Sequence, residues 1–112
     1  GSRREAANEM LFDVITQYRE TAGAEIVEGA HMELAKPTLE DAVEACISQG
    51  ACCIVVHPYF LAPGRHSTGD IPAMVADLAK IYSKIRFCVT KPLGIAPQLA
   101  EVIQQRVLES VD

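Results

Sequence analysis

The sequence has no long apolar run and no excess of basic residues. Its longest uninterrupted apolar segment, residues 51–56, is far too short to cross a bilayer, and the residues given contain no signal-peptide pattern. Ten lysines and arginines against fifteen aspartates and glutamates give a formal charge of −5, whereas nucleic-acid-binding proteins usually carry a basic face. We therefore expect neither a membrane nor a nucleic acid to be a partner of this chain.

Several sequence signatures of catalysis and cofactor binding are also missing. There is no phosphate-binding P-loop, no glycine-rich dinucleotide fingerprint, no GxSxG nucleophile motif and no CxxC pair. The cysteines lie in apolar segments without a histidine at zinc-ligand spacing, which disfavours a metal cage and predicts buried free thiols in a reducing compartment. These cysteines are Cys46, Cys52, Cys53 and Cys88.

The sequence does contain an alternation of helical and extended patterns. Its 112 residues, 49% of them apolar, fit one domain with a core of its own. This order predicts right-handed crossovers and a parallel sheet with helices on both faces, an α/β fold. Because residues 51–56 are continuously apolar, we expect residues 51–57 to form a central strand covered on both faces. Helices are predicted for residues 4–21, 37–49, 70–82 and 96–110, and strands for residues 24–32, 51–57 and 84–90.

Local signals mark the helix ends and the helix faces. Thr38 and Asp41 have the spacing of a capping box, Asp70 is placed to cap the third helix, and Gly23 and Gly50 supply helix ends. Apolar residues recur at helical spacing, and we expect them to be buried. In chain order they are Ala7, Met10, Leu11, Val14, Ile15, Tyr18; Leu39, Ala42, Val43, Cys46, Ile47; Ile71, Met74, Val75, Leu78, Ile81, Tyr82; Leu99, Val102, Ile103 and Leu108.

Polar residues suited to metal binding and proton transfer follow the predicted strands. His31 and Glu33 lie at the end of the first, His57 and His66 bracket the loop after the second, and Thr90-Lys91-Pro92 lies at the end of the third. In open parallel sheets, ligands bind outside the carboxyl ends of the strands. A neutral imidazole binds borderline divalent metals, and a carboxylate completes the shell or accepts protons. The sequence therefore predicts one site at this edge.

Each of these residues also has a structural alternative. His31 can simply satisfy loop carbonyls, and His57, beside Pro58, fits the end of a buried strand. His66 has little apolar patterning around it, so that function and structure remain open for it. Arg65 can pair with an acid of the fold or bind a ligand carboxylate. Residue types alone thus predict a single α/β domain with a His/Glu/Arg site for an anionic or metal-containing ligand.

Three blocks carry a family resemblance. They are GSRREAAN at residues 1–8, AHMELAKP at residues 30–37, and PYFLAPGRH at residues 58–66 followed by DIP at residues 70–72. Together they resemble the small class II tetrapyrrole chelatases, which include iron-inserting and cobalt-inserting sirohydrochlorin enzymes. The resemblance implies a flavodoxin-like fold, a homodimer, and ATP-independent insertion of ferrous iron into sirohydrochlorin to give sirohaem. Cobalt insertion and a non-catalytic tetrapyrrole- or metal-binding remnant are the alternatives.

The resemblance also implies roles for individual residues. His66 and Glu33 are the implied catalytic and metal-binding residues, because imidazole presents the metal while carboxylate accepts the pyrrole protons. The tetrapyrrole is a polycarboxylate, for which guanidinium groups are suitable partners. The implied substrate-binding residues are Ser2, Arg3, Arg65 and His31.

Family members usually begin with an apolar strand ending in His-Gly-Ser-Arg, whereas this sequence starts at Gly1-Ser2. We therefore expect residues 1–112 to be one domain that lacks its first strand and the histidine there. The cysteine-rich tail of plastid-type members is not found, so neither an iron–sulfur cluster nor a retained cofactor is expected, and Fe²⁺ or Co²⁺ enters as a substrate. The blocks are most similar to plastid or cyanobacterial enzymes, which predicts the chloroplast stroma or a bacterial cytoplasm.

Overall fold

The computed structural model describes residues 3–32, 35–64 and 69–111. In this part of the chain the predicted helices are confirmed, and two of the three predicted strands are present. None of the described helices is long and apolar enough to cross a membrane. The elements in chain order are α1 (Arg3–Ala22), α2 (Leu39–Ser48), β1 (Cys53–Val56), α3 (Ile71–Ile81), β2 (Arg86–Val89) and α4 (Pro97–Ser110).

The chain divides into two compact units. The first comprises Gly1–Ile54 with Ser83–Arg86, and the second comprises Val55–Tyr82 with Phe87–Asp112. Each unit has buried apolar residues of its own. The buried residues are Leu39, Ala42, Val43 and Ile54 in the first unit, and Ile71, Val75 and Leu78 in the second.

β1 and β2 are neighbours in a two-stranded sheet. The N–H of Arg86 donates to the carbonyl of Cys52 at 3.1 Å, and the N–H of Thr90 donates to the carbonyl of Val56 at 2.9 Å. The sequence offset between the partners is the same at both ends, which is the register of parallel strands. The parallel α/β arrangement predicted from the sequence is therefore confirmed, and the carboxyl ends of both strands lie at one edge.

The capping box of α2 is present as predicted. The Thr38 side chain accepts from the N–H of Asp41 at 3.2 Å, and the Asp41 carboxylate accepts from the N–H of Thr38 at 3.0 Å. At the other end, Gly50 has a φ of 102°, which a residue with a side chain rarely adopts, and its N–H donates to Ile47. Local sequence alone thus determines both ends of this helix.

The strand predicted for residues 24–32 is wrong, because this segment has irregular backbone. A strand needs a neighbouring backbone, and the polar groups of this segment have other partners in the first unit. Arg19 Nη2 donates to the carbonyl of Val27 at 2.6 Å, and the N–H of His31 donates to the carbonyl of Pro37 at 2.9 Å. The Ile15 side chain of α1 also lies directly against Gly29, where a side chain would leave no room.

The expectation that β1 is covered on both faces is also wrong. Ile54 is buried but its neighbour Val55 is 61% exposed, so the strand alternates between a covered and an uncovered face. The same exposure overturns the prediction of buried thiols for Cys52, Cys53 and Cys88, whereas Cys46 is half-buried. A continuous apolar run shows that a strand can be buried on both faces, but the described elements cover only one face of β1. All four thiols are free, as predicted.

Several apolar positions on the helices are exposed rather than buried. Met10 and Tyr18 of α1 and Ile81 of α3 are each more than half exposed, and α4 has no buried residue at all. Helical periodicity identifies an apolar face but not the element that covers it. In the described part of the chain nothing covers the α4 face. The residues of α4 that are exposed, against the prediction of burial, are Val102, Ile103 and Leu108, whereas Leu99 is half-buried.

Asp70 is the N-cap residue of α3, as predicted, but its side chain makes no capping hydrogen bond. Its backbone is already right-handed helical, with φ −65° and ψ −48°, because a π-type turn at residues 69–70 precedes the helix. A capping side chain needs extended backbone to reach the first free N–H groups. The predicted position is therefore right and the predicted capping contact is wrong.

Candidate functional site

The candidate site lies where β1 and β2 end, within the second unit. His57 and Thr90 are the first residues after the two strands, and the hydrogen bond from the N–H of Thr90 to Val56 closes the ladder there. His57 Nδ1 is 2.7 Å from Thr90 Oγ1, and the Thr90 hydroxyl donates to the Lys91 carbonyl at 2.9 Å. The strand-end convergence predicted for His57 and Thr90 is therefore confirmed.

This chain of hydrogen bonds relates the tautomer of His57 to the orientation of one hydroxyl. A hydroxyl has one proton, and when that of Thr90 is directed at the Lys91 carbonyl, the Thr90 oxygen accepts from His57 Nδ1–H. In the neutral ring the lone pair is then on Nε2. The ring is solvent-exposed and meets the ring of Tyr59 edge to face, with 6.5 Å between centroids. The strand end thus presents an oriented imidazole to solvent.

The loop after β1 is tied to the loop after β2. The N–H of Leu93 donates to the carbonyl of Phe60 at 2.9 Å, and the N–H of Gly94 donates to the carbonyl of Leu61 at 2.6 Å. Pro58 is buried at the start of the first loop. These contacts fix the path of the chain through residues 58–61, which precede the predicted site residues Arg65 and His66 in the sequence.

Most of the predicted site residues lie outside the described part of the chain. These are His66, Glu33, Arg65 and Ser2. Arg3 begins α1, and the structure describes its backbone but not its side chain. The roles predicted for these five residues therefore stay predictions.

His31 is the predicted substrate-binding residue whose surroundings the structure does describe. It is half-buried in the first unit, and its ring meets the Phe12 ring of α1 edge to face at 6.1 Å between centroids. Its backbone N–H closes a turn onto Pro37. These contacts give His31 a packing role, as the structural alternative expects, and its role towards a substrate stays a prediction.

The described residues contain no group of three or more His, Cys, Asp or Glu side chains able to hold a metal ion together.

The hydrogen bond between His57 and Thr90 was not predicted from the sequence. The sequence identified both as strand-end residues but did not indicate that their side chains are in contact. Predicting this hydrogen bond requires the register of β1 against β2, which depends on pairing between residues far apart in the sequence. The signal available in the sequence was the polar residue at the same position after each strand.

The sequence and the fold are both similar to those of known chelatases. The chain is 47% identical over 107 residues to the chloroplastic sirohydrochlorin ferrochelatase of Arabidopsis thaliana, covering 96% of this chain and 48% of that enzyme. The sirohydrochlorin chelatase SirB of Bacillus subtilis subspecies spizizenii, solved with cobalt, superposes with a TM-score of 0.88 at 32% identity, covering 98% of this chain and 47% of SirB. SirB of Bacillus subtilis, solved with Fe³⁺, gives a TM-score of 0.87 at 29% identity and covers 100% and 45% of the two chains.

This chain therefore spans about half the length of these relatives. The family match nevertheless extends over nearly every residue, from 1 to 110. The resemblance inferred from the three sequence blocks is confirmed, and the chain belongs to the CbiX family.

Proposed function

We propose that this chain forms part of a sirohydrochlorin chelatase that inserts ferrous iron to give sirohaem. The observation that carries the proposal is the 47% identity to the A. thaliana ferrochelatase across 96% of this chain. The geometry agrees with it, because the loop between β1 and Arg65-His66 starts at the carboxyl edge of a parallel sheet, where α/β folds bind their ligands.

The reaction exchanges two pyrrole protons for one divalent metal ion, so that charge is conserved, and we propose that it proceeds without ATP. In our proposal His66 presents the metal through a neutral imidazole, and Glu33 contributes to the metal site and accepts protons as the metal enters. Arg65 and Arg3 pair with the carboxylates of the tetrapyrrole, and Ser2 and His31 contact its periphery. The iron is a substrate in this scheme and leaves with the product.

Cobalt insertion is the second candidate activity, because one of the similar SirB structures contains cobalt. The ligand types proposed here bind both metals, and affinity order alone does not select the biological one. We propose iron as the physiological metal from the A. thaliana relative, and the chloroplast as the location from the same relative.

We also propose that the chain acts as a homodimer. α4 carries Val102, Ile103, Val107 and Leu108, each between 43% and 65% exposed, and an apolar stripe of this kind is suited to burial against a second copy. The proposal that the chain is instead a tetrapyrrole-binding remnant differs in one respect: it predicts ligand binding without turnover.

The experiment compares Glu33→Gln with Glu40→Gln under anaerobic conditions with sirohydrochlorin and Fe²⁺. Glu40 is exposed in the first turn of α2, so its variant makes the same chemical change at a position without a proposed role. We expect the unmodified chain and the Glu40 variant to accelerate metal insertion, and the Glu33 variant to lose about 10²–10⁴-fold in rate. Equal rates for both variants would refute the proposed role of Glu33, and binding without any acceleration by the unmodified chain would favour the remnant.

A further inference from the structure

The hydrogen bonds around His57 have a consequence for metal binding. His57 Nδ1 lies 2.7 Å from Thr90 Oγ1, which is also 2.9 Å from the Lys91 carbonyl oxygen. Among the described residues Nε2 has no hydrogen-bond partner, and the ring is exposed. In the tautomer with its proton on Nδ1, the nitrogen that carries the lone pair is therefore the one available to a ligand.

Metal-binding histidines in proteins almost always have this outer arrangement. Their second ring nitrogen donates to an oxygen, which fixes the tautomer, orients the ring and raises the basicity of the ligating nitrogen. A histidine that serves only as a surface residue has no need of an oriented acceptor that is itself held by another hydrogen bond. At His57 the oxygen comes from Thr90, just after the neighbouring strand, so that the pairing of the two strands sets the orientation.

We propose that His57 donates from Nδ1–H to Thr90 and binds a divalent metal ion through Nε2, as a metal-binding residue additional to His66 and Glu33, with Thr90 as its positioning residue. A single imidazole leaves water in the remaining coordination positions, so this site holds the ion weakly and releases it readily. Those properties suit an ion that is passed on to the tetrapyrrole, and this part of the proposal rests on the proposed function. The binding of the ion by His57 does not depend on the proposed function.

The test follows the imidazole groups of the ¹⁵N-labelled chain by NMR while Co²⁺ alone is added. Without metal, the His57 ring is expected to show the Nδ1–H tautomer, with Nε2 as the unprotonated nitrogen. Adding Co²⁺ is expected to shift or broaden the His57 signals in a saturable way. The Nε2–H tautomer, or His57 signals that do not respond to Co²⁺, would overturn the proposal.

Variants separate this site from the others. In a chain carrying Glu33→Gln and His66→Ala, the Co²⁺ response at His57 is expected to persist. Adding Thr90→Val removes the acceptor and is expected to weaken the apparent Co²⁺ affinity at His57 by about 10–100-fold, whereas Thr90→Ser keeps the acceptor and restores it. Equal affinity in the valine and serine variants would refute the positioning role of Thr90.

The His31 signals serve as an internal reference, because that ring packs against Phe12 and is not assigned to this site. The measurement contains no sirohydrochlorin. Failure of metal insertion with a normal Co²⁺ response at His57 would refute the proposed function alone, and normal insertion without that response would refute this inference alone.

Discussion

The N–H of Gly94 donates a 2.6 Å hydrogen bond to the carbonyl of Leu61, and this bond joins the loop after β2 to the loop after β1. Gly94 makes the contact with a φ of 62°, in the left-handed region that glycine adopts without strain. Residue 61 lies four positions before Arg65 and five before His66, so that this glycine supports the approach of the chain to both predicted residues.

We therefore expect Gly94→Ala to lower the free energy of unfolding by about 1–2 kcal/mol, because a Cβ is strained at this φ. Among the described residues only the Pro92 carbonyl oxygen, at 3.9 Å, lies near the position of such a Cβ, so the expected effect comes from backbone conformation and not from a clash. Gly94→Asn is the matched control, since asparagine tolerates the left-handed region better than alanine. Urea unfolding measures both variants, and an alanine variant as stable as the unmodified chain would contradict this reason for the glycine.

The capping box of α2 predicts a pH dependence of stability. The hydrogen bonds from the backbone N–H and side chain of Thr38 hold the pKa of the Asp41 carboxyl below its ordinary value. A carboxyl whose pKa is lower in the folded state contributes stability above its unfolded pKa and loses it as the pH falls through the folded value. We expect Asp41→Asn to be less stable than the unmodified chain at pH 7, and the difference to shrink below about pH 4.

Unfolding midpoints in urea at pH 7 and pH 3 provide the measurement. Glu40→Gln, one residue earlier in the same turn, is the control that lacks the reciprocal hydrogen bonds. A difference between Asp41→Asn and the unmodified chain that stays constant down to pH 3 would show that the carboxylate charge is not what stabilises the helix start.

The four free thiols are expected to differ in reactivity. Burial, followed in importance by the charge of Glu28, raises the pKa of the Cys46 thiol and so lowers its thiolate fraction at neutral pH. Cys52, Cys53 and Cys88 are exposed. We expect iodoacetamide to label these three before Cys46, as read by mass spectrometry of peptides over time. The labelling rate of each cysteine in the urea-unfolded chain serves as the reference. Equal labelling rates for all four cysteines in the folded chain would contradict the burial of Cys46.

The α4 stripe predicts an effect on oligomeric state. Ile103 is 65% exposed, and Ile103→Asp would place a charge in the proposed contact between two copies. Gln104→Asp makes the adjacent change at a position that is already polar and exposed. Sedimentation velocity is expected to show a dimer for the unmodified chain and the Gln104 variant, and a monomer for the Ile103 variant. A monomeric unmodified chain, or an Ile103 variant that remains dimeric, would exclude this face.

The sequence predicted what depends on neighbours along the chain. The capping box of Thr38 and Asp41 needs three residues, and the ends of α2 follow from local backbone preference, so both were predictable. The strand at residues 24–32 was predicted from its apolar pair Ile26-Val27, but a strand forms only beside another backbone. Exposure of Val55 and of the α4 stripe likewise depends on which elements cover them.

The candidate site also has features that local sequence predicts and features that depend on long-range pairing. Placing His57 and Thr90 after two strands required only the order of elements, and that placement is confirmed. Their hydrogen bond required the register of β1 against β2, since a shift by one residue would place one of the two side chains on the opposite face. No local pattern in the sequence contains that register.

The most direct test of the proposed function is a single turnover of sirohydrochlorin with Fe²⁺ under anaerobic conditions, in which the absorption change and the released protons are measured together. The proposed function predicts that the chain accelerates the conversion, that two protons appear for each metal inserted, and that His66→Ala retains tetrapyrrole binding but loses the acceleration. An unmodified chain that binds sirohydrochlorin with no metal-dependent acceleration, or a His66→Ala variant with unchanged turnover, would contradict it.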